Sequence, residues 1–336
     1  MKSTQRLWRW LGLIFVLSFG ALGYLGWQIY LTAPPIPKAV VTTEGEILFS
    51  GEQVQRGQQA WMSAGGQQLG TVWGHGSYVA PDWSADWLHR EATALQKIRS
   101  TEHRKATPNL TDADQAAVNA RVRDEMRRNT YDEASGTVKV SSERAQAIRE
   151  VAGHFEALFG TEPSLAKLRD QYAMSEGALP EKSDRQALTA FFFWTSWAAA
   201  TNRPGETELS YTSNWPHEPL VGNTMSTSAA MWSMVSIILL LAGIAAMLWL
   251  HGADQHEEEA KVPAADPLLG AKATPSMKAT RKYFFTVIGL MLLQIGMGAI
   301  TAHYAVEGQA FFGIPLAQVL PYVVSRTIHT QIGIFW

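Results

Sequence analysis

The residues best suited to chemistry are a few ionisable side chains inside long apolar stretches. His303 and Glu307 stand four apart near the end of one such stretch, so a helix carries them on one face. A titratable group at that depth is costly in lipid, which makes it a functional candidate by default. An imidazole accepts a hydrogen bond from a hydroxyl, and a nearby carboxylate takes or relays a proton. The pair therefore suits oxidation of a quinol, which gives up two protons with its two electrons. The same His303 also fits an interfacial histidine near lipid headgroups. Arg326 and His329 lie three apart in the next apolar stretch. A neutral imidazole there can ligate a haem iron axially while the guanidinium reaches a propionate. One histidine with no visible partner ligand leaves that role open.

The remaining histidines carry less. His75 and His89 flank a tryptophan-rich stretch at a spacing that matches no metal motif, so structural or hydrogen-bonding roles are expected. His154 on a polar helix, and His251 and His256 in a basic loop, read as solvated surface, as does the run Glu257–Glu259.

Apolar spans must position these groups. The chain has 336 residues, a net charge of −2 and 46% hydrophobic residues, but the apolar residues concentrate in about four blocks. Leu7 to Leu31 is long enough to cross about 30 Å of hydrocarbon. Lys2, Arg6 and Arg9 cluster at its N-terminal end, which places the N-terminus in the cytoplasm. It is too long for a signal peptide, and the Ala33–Pro37 stretch that follows offers no cleavage site, so an uncleaved anchor is expected. A second block, Thr227 to Leu250, brings the chain back to a loop containing Lys261, Lys272, Lys278, Arg281 and Lys282, as the cytoplasmic side requires. A third, Tyr283 to Tyr304, returns outward. After a stretch containing Phe311 and Phe312, a fourth starts near Val323 and is still running at Trp336, so further sequence is expected beyond it.

Between the first two spans the pattern is polar and mostly helical. Helices are expected near Ser50 to Trp61, after Asp82 with Ser84 as N-cap, from Asn109-Leu110-Thr111-Asp112, from Ser142, and near Glu162-Pro163-Ser164. A hairpin is expected over Thr130 to Ser142, turning at Ala134-Ser135-Gly136. The apolar segment Asp184 to Ala200 is too short to span a bilayer and reads as a buried helix docking on the membrane module. The glycine-rich run Gly65 to Tyr78 suits a close contact with another surface.

The fold class expected is mainly α: a polytopic α-helical membrane protein with an extracytoplasmic α-rich domain between spans 1 and 2. The partition is an anchor over residues 1–35, a hydrophilic domain over 36–225, a second span over 226–251, a cytoplasmic loop over 252–282 and the start of a larger membrane domain over 283–336. No internal repeat is visible. A mildly acidic chain has no basic stripe for phosphates, so nucleic-acid binding is not expected. There is no cysteine, which excludes disulfides, iron–sulfur clusters and a haem attached through CxxCH.

Three runs carry a resemblance to a known family. Trp73-Gly74-His75-Gly76-Ser77-Tyr78-Val79-Ala80-Pro81-Asp82-Trp83-Ser84-Ala85-Asp86-Trp87-Leu88-His89-Arg90-Glu91 resembles the signature of quinol-dependent nitric oxide reductases of the haem–copper oxidase superfamily. Tyr211 to Leu220 and Ser325-Arg326-Thr327-Ile328-His329-Thr330 are similar to further segments of that family. The resemblance implies that His329 ligates the low-spin haem b, with Arg326 near its propionates, and that His303 and Glu307 form the quinol pocket. It implies that Gly76 and Tyr78 match positions that, in the cytochrome-c-dependent relatives, contact haem propionates and a calcium ion. The outer domain resembles a fused cytochrome c subunit, here haem-free for want of CxxCH, so electrons are expected from quinol and not from cytochrome c. The implied reaction is 2 NO plus quinol giving N2O, water and quinone. The high-spin haem and non-haem iron would be held by residues beyond Trp336. A bacterial inner membrane is the implied location, with the hydrophilic domain periplasmic; a homodimer is left open. Two other readings stay open, a relative that dismutates nitric oxide and a non-catalytic membrane anchor or assembly subunit.

Overall fold

The computed structural model describes residues 2–106, 111–254, 263–266, 269–307 and 312–336. Expectations resting on Asn109, Leu110, His256, Glu257–Glu259, Lys261 and Phe311 lie outside these residues, as does the side chain of Glu307. The chain starts with α1 (Lys2–Leu31), a hairpin of β1 (Ala39–Thr42) and β2 (Ile47–Ser50), α2 (Gly51–Ser63), α3 (Trp83–Ala106) and α4 (Asp112–Arg127). A second hairpin follows, β3 (Tyr131–Asp132) and β4 (Thr137–Val140), then α5 (Ser142–Leu158), α6 (Ala166–Gln171) and α7 (Lys182–Ala200). The last helices are α8 (Thr227–Asp254), α9 (Pro275–Glu307) and α10 (Tyr322–Phe335). The architecture is mainly α. Among the described residues three helices are long and apolar enough to cross a membrane, over Gln5–Leu31, Thr227–Gly252 and Pro275–Tyr304.

The chain forms two compact units, one of residues 1–60, 83–156 and 181–223, the other of residues 61–82, 157–180 and 224–336. In the first unit α7 is the central element. Its residues from Ala187 to Phe193 and from Thr195 to Ala200 are buried. Trp83 stacks on Phe192 at 5.7 Å and Trp87 on Phe155 at 5.3 Å, while Phe155 meets Phe192 edge-on. Phe49 of β2 closes the cluster against Phe193 at 5.5 Å. The sequence led us to expect a buried helix here, and α7 is one: its apolar faces are covered by α2, α3 and α5 of the same unit, so the Phe-Phe-Phe-Trp run builds the core of that unit. Gly57 makes this possible, since a Cβ there would lie 2.0 Å from the Ala187 carbonyl oxygen.

The caps follow the local chemistry. Ser50 accepts from the Gln53 amide at 3.2 Å and Gln53 returns the bond, so α2 opens with a reciprocal capping box. Thr111 and Asp114 do the same for α4, and the Thr111 hydroxyl and amide hold the Asp114 carboxyl below its usual range. At α3 the expected cap differs: the helix starts at Trp83, and Ser84 sits fully buried in its first turn. The short strands form one sheet of order β2-β1-β4-β3, with β1 parallel to β4 and both hairpins antiparallel. The β3/β4 hairpin was expected. The β1/β2 hairpin was not, although the β-branched Val40-Val41-Thr42-Thr43 before Glu44-Gly45 carries the signal; Gly45 takes φ +91 at the turn.

Buried polar groups tie the motif runs together. Glu91 and Arg144 form an ion pair at 2.8 Å with side chains 0% and 2% exposed, and Trp87 donates to the other Glu91 oxygen at 2.8 Å. His89 Nδ1 meets Glu218 at 2.8 Å, joining the run through Glu91 to the run Tyr211–Leu220. Arg127, pushed down by burial, donates to Asn214 at 3.1 Å and Asn223 at 2.9 Å, pinning the segment that follows α7. His154 departs from the solvated role expected for it: it is half-buried, with its ring edge-on to Phe155 at 5.4 Å.

Candidate functional site

All the residues singled out for chemistry fall in the second unit. Its frame is the antiparallel pair of α9 and α10. The contacts run in opposite order along the two helices: Gln294 with His329, Thr301 with Ser325 at 3.2 Å, and Tyr304 with Leu320 and Tyr322. Gln294, Gly298, Thr301 and Tyr304, spaced four, three and three apart, form the face of α9 turned to α10. Tyr304 and Tyr322 are buried with Ala173, and Val79, Ile300, Ala317 and Val323 pack around them.

His329 lies against that face. Its Nδ1 is 2.9 Å from the Gln294 carbonyl oxygen. A carbonyl only accepts, so Nδ1 carries the proton and donates, which leaves the Nε2 lone pair as the ring's basic site. That is the tautomer and orientation an axial haem ligand needs, and a backbone carbonyl is a usual partner for the ligand's other nitrogen. The donor set therefore fits a haem. The ring rests on Gly298: a Cβ at that position would lie 2.7 Å from His329 Cε1 and 2.9 Å from Nδ1.

One turn earlier on α10, Arg326 points its guanidinium at the loop of residues 65–82. Nη1 donates to the Gln68 carbonyl at 3.1 Å and to the Tyr322 hydroxyl at 3.3 Å. Among the described residues, Nη2 and Nε have no partner, so they are open to an anionic group. The loop approaches α10 closely through Gly65, at φ +123, where a Cβ would sit 2.9 Å from both Val323 methyls. Asp82 organises the loop from its far end, its Oδ2 accepting from Thr71 Oγ1 and the Gly74 amide, both at 2.7 Å. The Gly76 amide donates to Thr71 Oγ1 at 2.9 Å, with Gly76 at φ +85. Tyr78 stands 58% exposed and His75 is exposed too.

His303 is elsewhere on α9. At about 100° per residue it lies roughly 140–180° around the helix from Gly298 and Gln294, on the side away from α10. Its ring is half-buried and meets Phe312 at 4.9 Å. Glu307 ends α9 about 40° further round. The structure thus ties Arg326 to the loop that also carries Gly76 and Tyr78, through Gln68 and with no recorded contact to either of them, puts His329 against the inner face of α9, and keeps His303 on the opposite face. Among the described residues there is no group of three or more His, Asp or Glu side chains that could hold a metal ion. Gln294 and Gly298 escaped the sequence reading because a main-chain carbonyl and a missing Cβ carry no side-chain signature.

A family model for the cytochrome c-like domain of the nitric oxide reductase NorB matches residues 37–217, more than half of the chain. No curated protein matches the sequence.

Proposed function

The chain belongs to the NorB family of nitric oxide reductases, and from that premise we propose that it serves quinol-dependent reduction of nitric oxide, in which 2 NO and a quinol give N2O, water and quinone. The observation that carries this reading is the state of the matched domain. It lies between the first two membrane-crossing helices, has no cysteine to attach a haem, and has an interior filled by Trp83, Trp87, Phe155, Phe192 and Phe193, each no more than 1% exposed. A cytochrome c-like domain without attached haem has no route for electrons from a soluble cytochrome. The donor is then a quinol in the bilayer, with nitric oxide as the acceptor.

In this reading His303 accepts a hydrogen bond from one quinol hydroxyl and Glu307, one turn on, takes or relays the proton. Phe312 lies against the imidazole, with 4.9 Å between ring centroids. His329 Nε2 and Arg326 would hold the low-spin haem b, which when bound would supply one-electron transfer. The bond from His329 Nδ1 to Gln294 fixes the imidazole plane, and the open donors of Arg326 would be available to a propionate. Gly76 and Tyr78, on the loop that Arg326 binds, contribute to the propionates or to a calcium ion. The location that goes with the reading is a bacterial inner membrane, N-terminus cytoplasmic and matched domain periplasmic.

The test uses the intact enzyme in its membrane with two electron donors, a reduced quinol and a small artificial reductant. For His303→Ala, quinol-driven consumption of nitric oxide should fall at least tenfold while the artificial donor still supports turnover. Unchanged quinol-driven turnover, or equal loss with both donors, overturns the assignment.

A further inference from the structure

We propose that Gly298 is a positioning residue for His329: by lacking a side chain it exposes the Gln294 carbonyl to the imidazole and so fixes the ring's orientation. The inference rests on the reading of His329 as the low-spin haem ligand and adds to it the feature that orients that ligand.

The argument starts from the helix ladder. In an α-helix the carbonyl of residue 294 accepts the amide of residue 298, and that oxygen has a second lone pair. A ring on a neighbouring helix can reach it only where nothing stands in front. In α9 the residue one turn on is Gly298, and the ring occupies the space its Cβ would fill, with Cε1, Nδ1 and Nε2 at 2.7, 2.9 and 3.5 Å from the ideal Cβ position. The first two distances are too short for a real contact. Any side chain at 298 therefore drives the imidazole off the Gln294 oxygen, which it now meets at 2.9 Å. Gln294 itself is anchored, its side-chain oxygen accepting from Trp336 Nε1. Glycine here opposes helix propensity, since it is less favourable than alanine in a helix interior. Gly296, two residues away on the same helix, has open space where its Cβ would be. Of these two glycines, Gly298 is the one that faces an imidazole.

Rotating an axial imidazole changes the ligand field at the iron and, through the lost Nδ1 hydrogen bond, the basicity of the ligating nitrogen. The experiment compares Gly298→Ala with Gly296→Ala in the intact enzyme, reading the low-spin haem by electron paramagnetic resonance and redox titration. The expected result is shifted g-values and a shifted midpoint potential for Gly298→Ala, with wild-type values for Gly296→Ala. Wild-type g-values and potential for Gly298→Ala, or equal shifts in both variants, overturn the inference. His329→Ala is run in parallel: if it keeps the low-spin signal, the ligand reading itself fails, an outcome distinct from the first. Should Gly298→Ala assemble poorly, thermal stability decides. Gly298→Ala should lower the melting temperature in the wild-type background but not in the His329→Ala background, where the ring is gone; equal losses in both overturn the inference.

Discussion

His154 is where burial of a single side chain reaches solution behaviour. The imidazole is half-buried on α5, and its Nε2 has no hydrogen-bond partner among the described residues. Burial pushes its pKa below the ordinary 6.5, Arg90 adds to the effect and Asp86 partly opposes it. The folded state thus prefers the neutral ring, whereas the unfolded chain takes up a proton near 6.5. Between the lowered folded value and 6.5 the unfolded state binds more protons, so stability rises with pH through that window and is lost as pH falls through it. Melting temperatures at pH 7.5 and 5.5 should differ more for the wild type than for His154→Gln, which cannot titrate. An equal pH dependence in the two proteins would remove His154 from the account. Such a role was not legible beforehand, because a histidine in a polar helical stretch looks solvated until the packing of Phe155 against Trp87 and Phe192 shows which way that helix faces.

At the scale of elements, the approach of α2 to α7 is set by one atom that is missing. A Cβ on Gly57 would lie 2.0 Å from the Ala187 carbonyl oxygen and 2.7 Å from Phe191 Cβ, and a backbone atom cannot swing aside as a side chain does. Gly57→Ala must part the helices, and overpacking of this kind costs about 1–3 kcal/mol. Gly153 on α5 has open space at its Cβ, so Gly153→Ala should stabilise by about 0.5–1 kcal/mol through helix propensity alone. Denaturant unfolding followed by tryptophan fluorescence separates the two; destabilisation of similar size in both would show that Gly57 has no special contact. Helices and spans were legible in the sequence because apolar length and 3.6-residue periodicity are local. The β1/β2 hairpin was harder to read, since strands of four residues gain stability from pairing, and the parallel partner of Ala39 is Thr137, far along the chain. The site was legible as far as spacing goes, in His303 with Glu307 and Arg326 with His329. That the first histidine lies on the opposite face of α9 from the second emerges only when the register of α9 against α10 is known.

For the whole molecule, the absence of cysteine carries both the functional reading and its topological test. The assignment of quinol as donor requires the matched domain to lie on one side of the membrane and the loop between α8 and α9 on the other, with α1 entering from the cytoplasm. The basic residues Lys2, Arg6 and Arg9 at the N-terminal end of the first span and Lys272, Lys278, Arg281 and Lys282 at the start of the third support that orientation. Since these 336 residues contain no cysteine, a single cysteine introduced among them is the one thiol they carry. Ser135, at the exposed turn between β3 and β4, and Lys272, exposed ahead of α9, are suitable positions. In intact cells stripped of the outer membrane, Ser135→Cys should react with a membrane-impermeant maleimide at once, and Lys272→Cys only after permeabilisation. The reverse pattern would put the matched domain in the cytoplasm and His303, near the C-terminal end of α9, at the wrong surface. Labelling of both from outside would mean that α8 or α9 does not cross the bilayer, and the quinol pocket would lose the lipid environment on which its chemistry depends.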